Sequence, residues 1–296
     1  MKKVLIIGID SFTGKHLSSY LNNNMFEVYG TTFLETKTKT KNIFQCDITD
    51  KKNIHAIILN LLPDFIINLA GISFVATSNS VLFYKVNVLA VENILNSILE
   101  ISNYNPQKVI LVSSATVYGN QIDNVLDESM IPNPINHYAI SKYAMEQIVK
   151  TYYDKLNIII TRPFNYTGIG QEEHFLIPKI VAHYKNRKDN IELGNINVFR
   201  EFNDVLFVCE VYKRLFESSV KSDIVNIASN RVIALKDVIK MMNQISNYDI
   251  KVSINQKFIR KNEITKLSGS SDKLFKFLGK IHQKEFIETL KDMYND

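Results

Sequence analysis

The segment VLIIGIDSFTG, Val4 to Gly14, constrains this chain more than any other. Its apolar run Val4 to Ile7 reads as a buried parallel strand that stops at Gly8. From Gly14 to Asn22 the chain reads as a helix, with Leu17 and Leu21 four apart on one face. A glycine permits the tight turn after the strand and another lets backbone approach phosphate. The helix N-terminus then supplies oriented N–H groups for a pyrophosphate. Gly8 and Gly14 fit the outer positions of a G-x-x-G-x-x-G spacing, with Asp10, Phe12 and Thr13 in the same loop. Ser11 stands at the middle position, where its N–H and hydroxyl can still serve a phosphate. Alone, the same letters also suit a strand-ending turn and a helix-packing glycine.

The alternation continues downstream. Strands are expected at 27–33, 42–49, 64–71, 108–115 and 157–163, with helices at 52–62, 81–102 and 138–153. Strands of this length separated by helices predict βαβ units, a parallel sheet and right-handed crossovers. After Phe164 the texture becomes mixed. The stretch 168–200 reads as a lid or substrate region, 223–229 as one more strand, and 235–246 and 284–293 as amphipathic helices. The expected class is α/β, a doubly wound parallel sheet with a smaller interleaved C-terminal domain. Residues 1–164 form the dinucleotide-binding domain, to which 199–232 return, and residues 165–198 and 233–296 form the substrate domain.

Composition excludes several classes. With 296 residues, 46% hydrophobic and 22% charged, the chain is of ordinary globular type. Its apolar runs are strand-sized, short of the roughly 20 residues that span a bilayer. No signal peptide follows Met1-Lys2-Lys3, so a cytoplasmic address is expected. The two cysteines, Cys46 and Cys209, show neither metal-ligand spacing nor a disulfide framework. No metal is therefore expected. A net charge of +5 is spread along the chain, and no motif supports nucleic-acid or membrane binding.

Choice of dinucleotide turns on the end of the second strand, where a carboxylate would accept from the adenosine ribose hydroxyls. Gly30-Thr31-Thr32-Phe33 offers none before Glu35, and Lys37, Lys39 and Lys41 follow. That leans toward NADPH over NADH, although three solvated lysines would look the same.

The catalytic expectation rests on Tyr138 and Lys142 in NHYAISKYAMEQIV, one helical turn apart on one face. A lysine ammonium beside a tyrosine favours the phenolate and lowers a pKa that is otherwise near ~10. The same lysine can hold a nicotinamide ribose. Ser114, in VSSATVYG, is placed to polarise a reacting carbonyl. A lone Y-x-x-x-K usually means a packed aromatic and a solvated charge. Weight comes from the order: phosphate loop, NLAG (68–71), serine after the fifth strand, then Y-x-x-x-K.

With these motifs in place the chain resembles the extended short-chain dehydrogenase/reductase family over essentially its whole length. The resemblance implies a Rossmann-type fold and a homodimer through a four-helix bundle. It implies cofactor contacts from Asp47 and Ile48, from Leu69, Ala70 and Gly71, from Asn87 in VNVLAVENIL, and from Pro163. On the substrate side it implies a nucleotide sugar held by Ser73, Ser114, Thr116, Asn165 of RPFNYTG, Ile177, Lys179 and Asn195 of LGN. Arg200 of FREFNDV and Arg260 of FIRKNEI, with Glu263, would serve the diphosphate end. In FREFNDV, Glu201 replaces the family's aspartate.

The family includes epimerases, 4,6-dehydratases and 4-keto reductases. Dehydratases carry acidic residues directly after the catalytic Ser/Thr, and Ala115 and Thr116 stand there instead. Fucose-synthase-type chemistry needs a cysteine and a histidine that this chain does not pair; His174 and His137 read as surface and cap residues. The expected reaction is C4 reduction of a GDP-linked 4-keto-6-deoxyhexose, with a dTDP-linked one second. A nucleotide-sugar 4-epimerase and a catalytically silent NAD(P)-binding protein are the alternatives.

Overall fold

The computed structural model describes residues 1–35, 41–73, 79–121, 125–259 and 265–296. These fall into two compact units. The first comprises Met1–Gly119, Ile131–Pro163 and Cys209–Val225, and the second Asn120–Met130, Phe164–Val208 and Asn226–Asp296.

In the first unit, strands β1 (Lys3–Ile7), β2 (Glu27–Thr32), β3 (Ile43–Gln45), β4 (Phe65–Asn68), β5 (Lys108–Val112) and β6 (Ile158–Pro163) build the central sheet. The later strand β11 (Asp223–Ile227) completes it, in the order β11-β6-β5-β4-β1-β2-β3. Every paired neighbour with a resolved register runs parallel. Runs such as Phe65–Asn68 and Ile158–Pro163 are buried throughout, as strands covered on both faces require. The order reverses at β1, whose Ile7 lies opposite both Thr31 and Asn68. Ligands bind such sheets at the carboxyl ends of the strands beside this switch point. Gly8, Thr32, Leu69, Ser113 and Pro163 all lie at or just past those ends.

Helices α1 (Phe12–Asn22), α2 (Lys51–Leu61), α3 (Ser80–Tyr84), α4 (Ala90–Leu99), α5 (His137–Lys150) and α7 (Val205–Glu217) accompany the sheet. A turn of π-helix, Lys85–Leu89, joins α3 to α4 into one continuous helix, Ser80–Leu99. By length and composition alone this helix would suffice to cross a membrane. It is also half buried, and Val88, Val91, Ile94, Leu95 and Ile98 enter the core beneath the sheet.

The second unit contains helices α6 (Leu176–Lys185), α8 (Leu235–Ser246), α9 (Asp272–Leu278) and α10 (Phe286–Asn295). Its small sheets pair β10 (Asn203–Asp204) with β7 (Tyr166–Thr167) and β13 (Lys251–Ile254) with β8 (Asn190–Leu193). A third runs β12 (Val232–Ala234), β9 (Phe199–Glu201), β14 (Lys266–Leu267). The core gathers Ile180, Tyr184, Ile191, Val238, Met242 and Leu290.

Three segments fall differently from the sequence-derived domain limits, the first being residues 226–232, which lie in the second unit. Residues 199–208 stay with the second unit because β9 pairs there with β12 and β14. Asn120–Met130 joins it too, because Leu126 bridges to Gly269 and Asn226 donates to the Leu126 carbonyl at 3.1 Å. The strand expected at 42–49 shortens to β3. Beyond it, Asp47 accepts from Thr49 and Asp50 caps α2 through Lys52 N–H, so side chains replace the ladder.

Candidate active site

The loop after β1 is shaped by two glycines. Gly8 has φ +85°, and a Cβ there would lie 2.8 Å from Ala70 N. At Gly14 a Cβ would meet the Gly8 carbonyl oxygen at 2.3 Å, so the helix packs directly on the strand end. Ser11, at the missing middle glycine, is the N-cap of α1. It accepts from Gly14 N–H at 3.0 Å and donates to the Gly8 carbonyl at 2.7 Å. Its hydroxyl therefore braces the loop instead of addressing a phosphate. Phe12 and Thr13 open the helix, and the Phe12 ring packs edge-on to His16. Asp10 is exposed, and its Oδ2 accepts from Thr32 Oγ1 at 2.7 Å.

Leu69 and Ala70 each donate backbone N–H to the Ile7 carbonyl, at 2.9 and 3.0 Å, which ends β4 and brings Gly71 to the sheet edge. A Cβ on Gly71 would lie 3.0 Å from Asn87 Oδ1 and 3.2 Å from Lys142 Nζ. This cradle, with the Gly8 turn and the helix end, fits a dinucleotide.

The π-turn carries Asn87 fully inward, a recurrent use of such turns at functional sites. Its Oδ1 accepts from Ile72 N–H at 2.9 Å, and its Nδ2 donates to Ser141 Oγ at 3.0 Å. Asn87 thus ties the loop after β4 to α5. On the neighbouring side Asp47 caps its own turn, and Asn93 donates to the Ile48 carbonyl at 3.3 Å.

Helix α5 begins at Asn136, whose side chain accepts from Ala139 N–H at 2.9 Å. His137, expected as the cap, instead meets Tyr84 Oη at 3.0 Å. Along α5, three residues one turn apart clasp the end of β5. Tyr138 shares a hydrogen bond with Ser114. Lys142 Nζ donates to the Val112 carbonyl at 2.8 Å, and Ser113 Oγ donates to Glu146 at 2.5 Å. Behind them Arg162 makes a two-point pair with Glu146, at 3.0 and 2.6 Å, both side chains buried. The Arg162 guanidinium stacks over Tyr118 at 4.8 Å. Thr116 Oγ1 donates to Ser114 Oγ at 2.9 Å.

Burial pushes Lys142 down to about 8, with the nearby Glu146 opposing it. Burial also raises Tyr138 above its ordinary value, while Ser114 pulls it down. The expected lowering of Tyr138 by Lys142 is not seen here: burial raises the phenol, Ser114 alone lowers it, and the Lys142 ammonium donates to the Val112 carbonyl.

In the second unit Arg200 lies on β9, and its Nη1 donates to the carbonyls of Phe199 at 2.8 Å and Thr265 at 3.1 Å. Glu201, buried, accepts from the backbone N–H groups of Ser229 and Gly269 and so locks the strand that carries Arg200. Asn165 is exposed, and its carbonyl accepts from Asn203 N–H at 2.9 Å. Lys179 donates to the Glu192 carbonyl and lies over the Phe258 ring at 4.8 Å. Asn195 accepts from Asn197 N–H. Ile177 corrects the sequence reading: it lies on the inner face of α6 and packs into the core at 3% exposure. Ser73 is exposed at the end of its described segment, whereas Arg260 and Glu263 lie outside the described residues, as do Lys37 and Lys39. His174 pairs with Glu172 at 3.0 Å. Missed in the sequence were Glu146 and Arg162, whose pairing across 16 positions leaves no local signal.

A glycine loop at the switch point of a parallel sheet, with Ser114, Tyr138 and Lys142 on the adjoining strand and helix, defines an NAD(P)-dependent oxidoreductase of the short-chain dehydrogenase type. The family model described as GDP-mannose 4,6 dehydratase matches residues 5–293. The chain is 33% identical over 296 residues to the GDP-6-deoxy-D-talose 4-dehydrogenase of Aggregatibacter actinomycetemcomitans, spanning 99% of this chain and 97% of that one. It is 25% identical over 285 residues to the GDP-6-deoxy-D-mannose reductase of Pseudomonas aeruginosa, spanning 92% and 90%. A Burkholderia cenocepacia J2315 protein solved as a candidate epimerase superposes with a TM-score of 0.93 at 35% identity, covering 99% and 97%. RMD from Pseudomonas aeruginosa, solved with NADPH, shares the fold with a TM-score of 0.86 at 24% identity, covering 100% of this chain and 98% of that one. The chain belongs to the GDP-mannose 4,6-dehydratase family of extended short-chain dehydrogenases/reductases.

Proposed function

We propose that the protein reduces the C4 carbonyl of a GDP-linked 4-keto-6-deoxyhexose. The carrying observation is the Ser114–Tyr138 pair at the end of β5, with Ala115 and Thr116 where a dehydratase needs its acid and base. When bound, the reduced nicotinamide supplies hydride to C4. Tyr138 Oη gives its proton to the C4 oxygen, completing the alcohol. Ser114 Oγ donates to the same oxygen and shares the charge developing on it. Lys142 holds the nicotinamide ribose and supports the phenolate after transfer. Arg200 and Lys179 offer cations to the diphosphate, with Arg260 and Glu263 assigned there from the sequence. Asn165, Asn195, Ser73 and Thr116 serve the sugar and base.

The names of two relatives support position 4 and GDP: one is a GDP-6-deoxy-D-talose 4-dehydrogenase and the other a GDP-6-deoxy-D-mannose reductase. A dTDP-linked substrate is correspondingly second. Absence of a carboxylate at the end of β2 favours NADPH as reductant, and the loop carboxylate of Asp10 opposes it. The product would be a deoxysugar donor for surface polysaccharide, made in the cytoplasm. Exposed Val81, Leu82, Leu89 and Ile140 on α3, the π-turn and α5 provide the faces for a homodimer.

The test supplies GDP- and dTDP-4-keto-6-deoxyhexoses in turn and follows the absorbance of the reduced nicotinamide. Consumption with the GDP sugar supports the proposal. A second reading, a nucleotide-sugar 4-epimerase, is favoured by the likeness to the Burkholderia protein. It would show tightly held NAD and no net consumption.

A further inference from the structure

We infer that Asp10 stands in for the missing second-strand acid and selects NADH over NADPH, an inference that rests on the nicotinamide-dependent reading. Strand β2 ends at Thr32, and the next residues, Phe33 and Leu34, are exposed and apolar. Thr32, itself buried, donates its hydroxyl to Asp10 Oδ2 at 2.7 Å and accepts from Leu34 N–H at 3.1 Å. A carboxylate is thereby pinned against the end of β2 from the phosphate loop, 22 residues away in sequence. In folds of this class the carboxylate at the end of the second strand accepts from the adenosine ribose 2′-hydroxyl. Asp10 reaches the same corner by another route. It precedes Ser11, the N-cap of the helix that meets the pyrophosphate, so its place is set by the loop and by the strand together.

Its chemistry discriminates. One carboxylate oxygen is engaged by Thr32, and the other can accept from a free 2′-hydroxyl as a charge-assisted bond. A 2′-phosphate carries about −1.5 to −2 charges at neutral pH and has no proton to offer that bond. It would meet a like charge that cannot swing away without breaking the Thr32 contact. The lean toward NADPH drawn from the sequence rested on the missing acid at the end of the second strand and on Lys37, Lys39 and Lys41. Lys41 is exposed, and the field of a solvated ammonium is largely screened beyond a Debye length of about 8 Å at physiological ionic strength. A carboxylate held by Thr32 at the end of β2 supplies the acid whose absence carried that lean, so the lean is reversed.

The test is calorimetric titration of the purified protein with NADH and with NADPH, without sugar substrate. The wild type should bind NADH at least about tenfold more tightly. Asp10→Asn, at an exposed position and isosteric, should bring the two within about threefold, chiefly by tightening NADPH. Thr32→Val, which frees the carboxylate, should reduce the preference with Asp10 intact, and raised salt should narrow it in the wild type alone. Equal or tighter NADPH binding by the wild type, or an unchanged ratio in Asp10→Asn, would overturn the assignment to Asp10 while leaving the dinucleotide reading intact. Failure of both dinucleotides to bind would overturn that reading, and the assignment with it.

Discussion

Glu146→Gln should weaken the first unit far more than a neutral isostere would elsewhere. The Glu146 carboxylate is wholly buried and accepts two bonds from Arg162 and one from Ser113. Arg162 is itself 2% exposed, so the substitution leaves a guanidinium out of water without its counter-charge. Breaking a buried pair from one side costs about 3–5 kcal/mol. Glutamine keeps one acceptor, and the Tyr118 ring at 4.8 Å returns part of the loss, which puts the cost near 3 kcal/mol. Removing both charges in Glu146→Gln/Arg162→Met should recover most of it, because the uncompensated ion is then gone. Urea unfolding followed by far-ultraviolet circular dichroism measures all three proteins. The reasoning fails if the single variant lies within about 1 kcal/mol of wild type, or if the double variant loses as much stability as the single. Kinetics give a second readout. Glu146 holds the Lys142 pKa up against burial, so in Glu146→Gln the alkaline limb of turnover should move to lower pH.

Lys142 should show the opposite balance between stability and activity. Its folded pKa, about 8, lies below the 10.5 of a free lysine, so the unfolded chain holds the proton more tightly. The contribution of this group to stability therefore rises with pH between those values, and the buried charge costs on the order of 3 kcal/mol below them. Lys142→Met should abolish turnover yet raise the unfolding midpoint at neutral pH; a lowered midpoint would contradict this. Gly14→Ala drives a Cβ to 2.3 Å from the Gly8 carbonyl and should eliminate dinucleotide binding, read by calorimetry, at a stability cost of about 1–3 kcal/mol. Tyr138→Phe should lose turnover by several orders of magnitude and keep dinucleotide affinity within about threefold, the signature of a proton donor.

Much of this was legible because it is local. The apolar runs at Val4–Ile7 and Phe65–Ile67 are continuous, as strands covered on both faces must be, and Tyr138 and Lys142 share a helical face at a spacing of four. Gly8 and Gly14 declared the turn. What escaped depends on pairs distant in the chain. Asp10 meets Thr32 only once β1 and β2 lie side by side, and Glu146 meets Arg162 only once α5 packs on β6. The π-turn at Asn87 inserts a residue into a helix whose composition stays ordinary, so periodicity does not reveal it. Ile177 was assigned to substrate by the resemblance alone, although Ile177, Ile180, Val181 and Tyr184 recur at helical spacing and mark the buried face of α6.

The central claim is hydride delivery to C4 with Tyr138 as the proton source. Reduced dinucleotide deuterated at nicotinamide C4, incubated with a GDP-4-keto-6-deoxyhexose, traces that transfer by proton nuclear magnetic resonance of the product. The account predicts one deuterium at the sugar C4, oxidised dinucleotide in equal amount, and no labelled product with Tyr138→Phe. Unchanged 4-keto sugar with no oxidation of the dinucleotide would contradict it, and interconversion of a GDP-hexose with its C4 epimer by the protein with tightly held NAD would identify an epimerase.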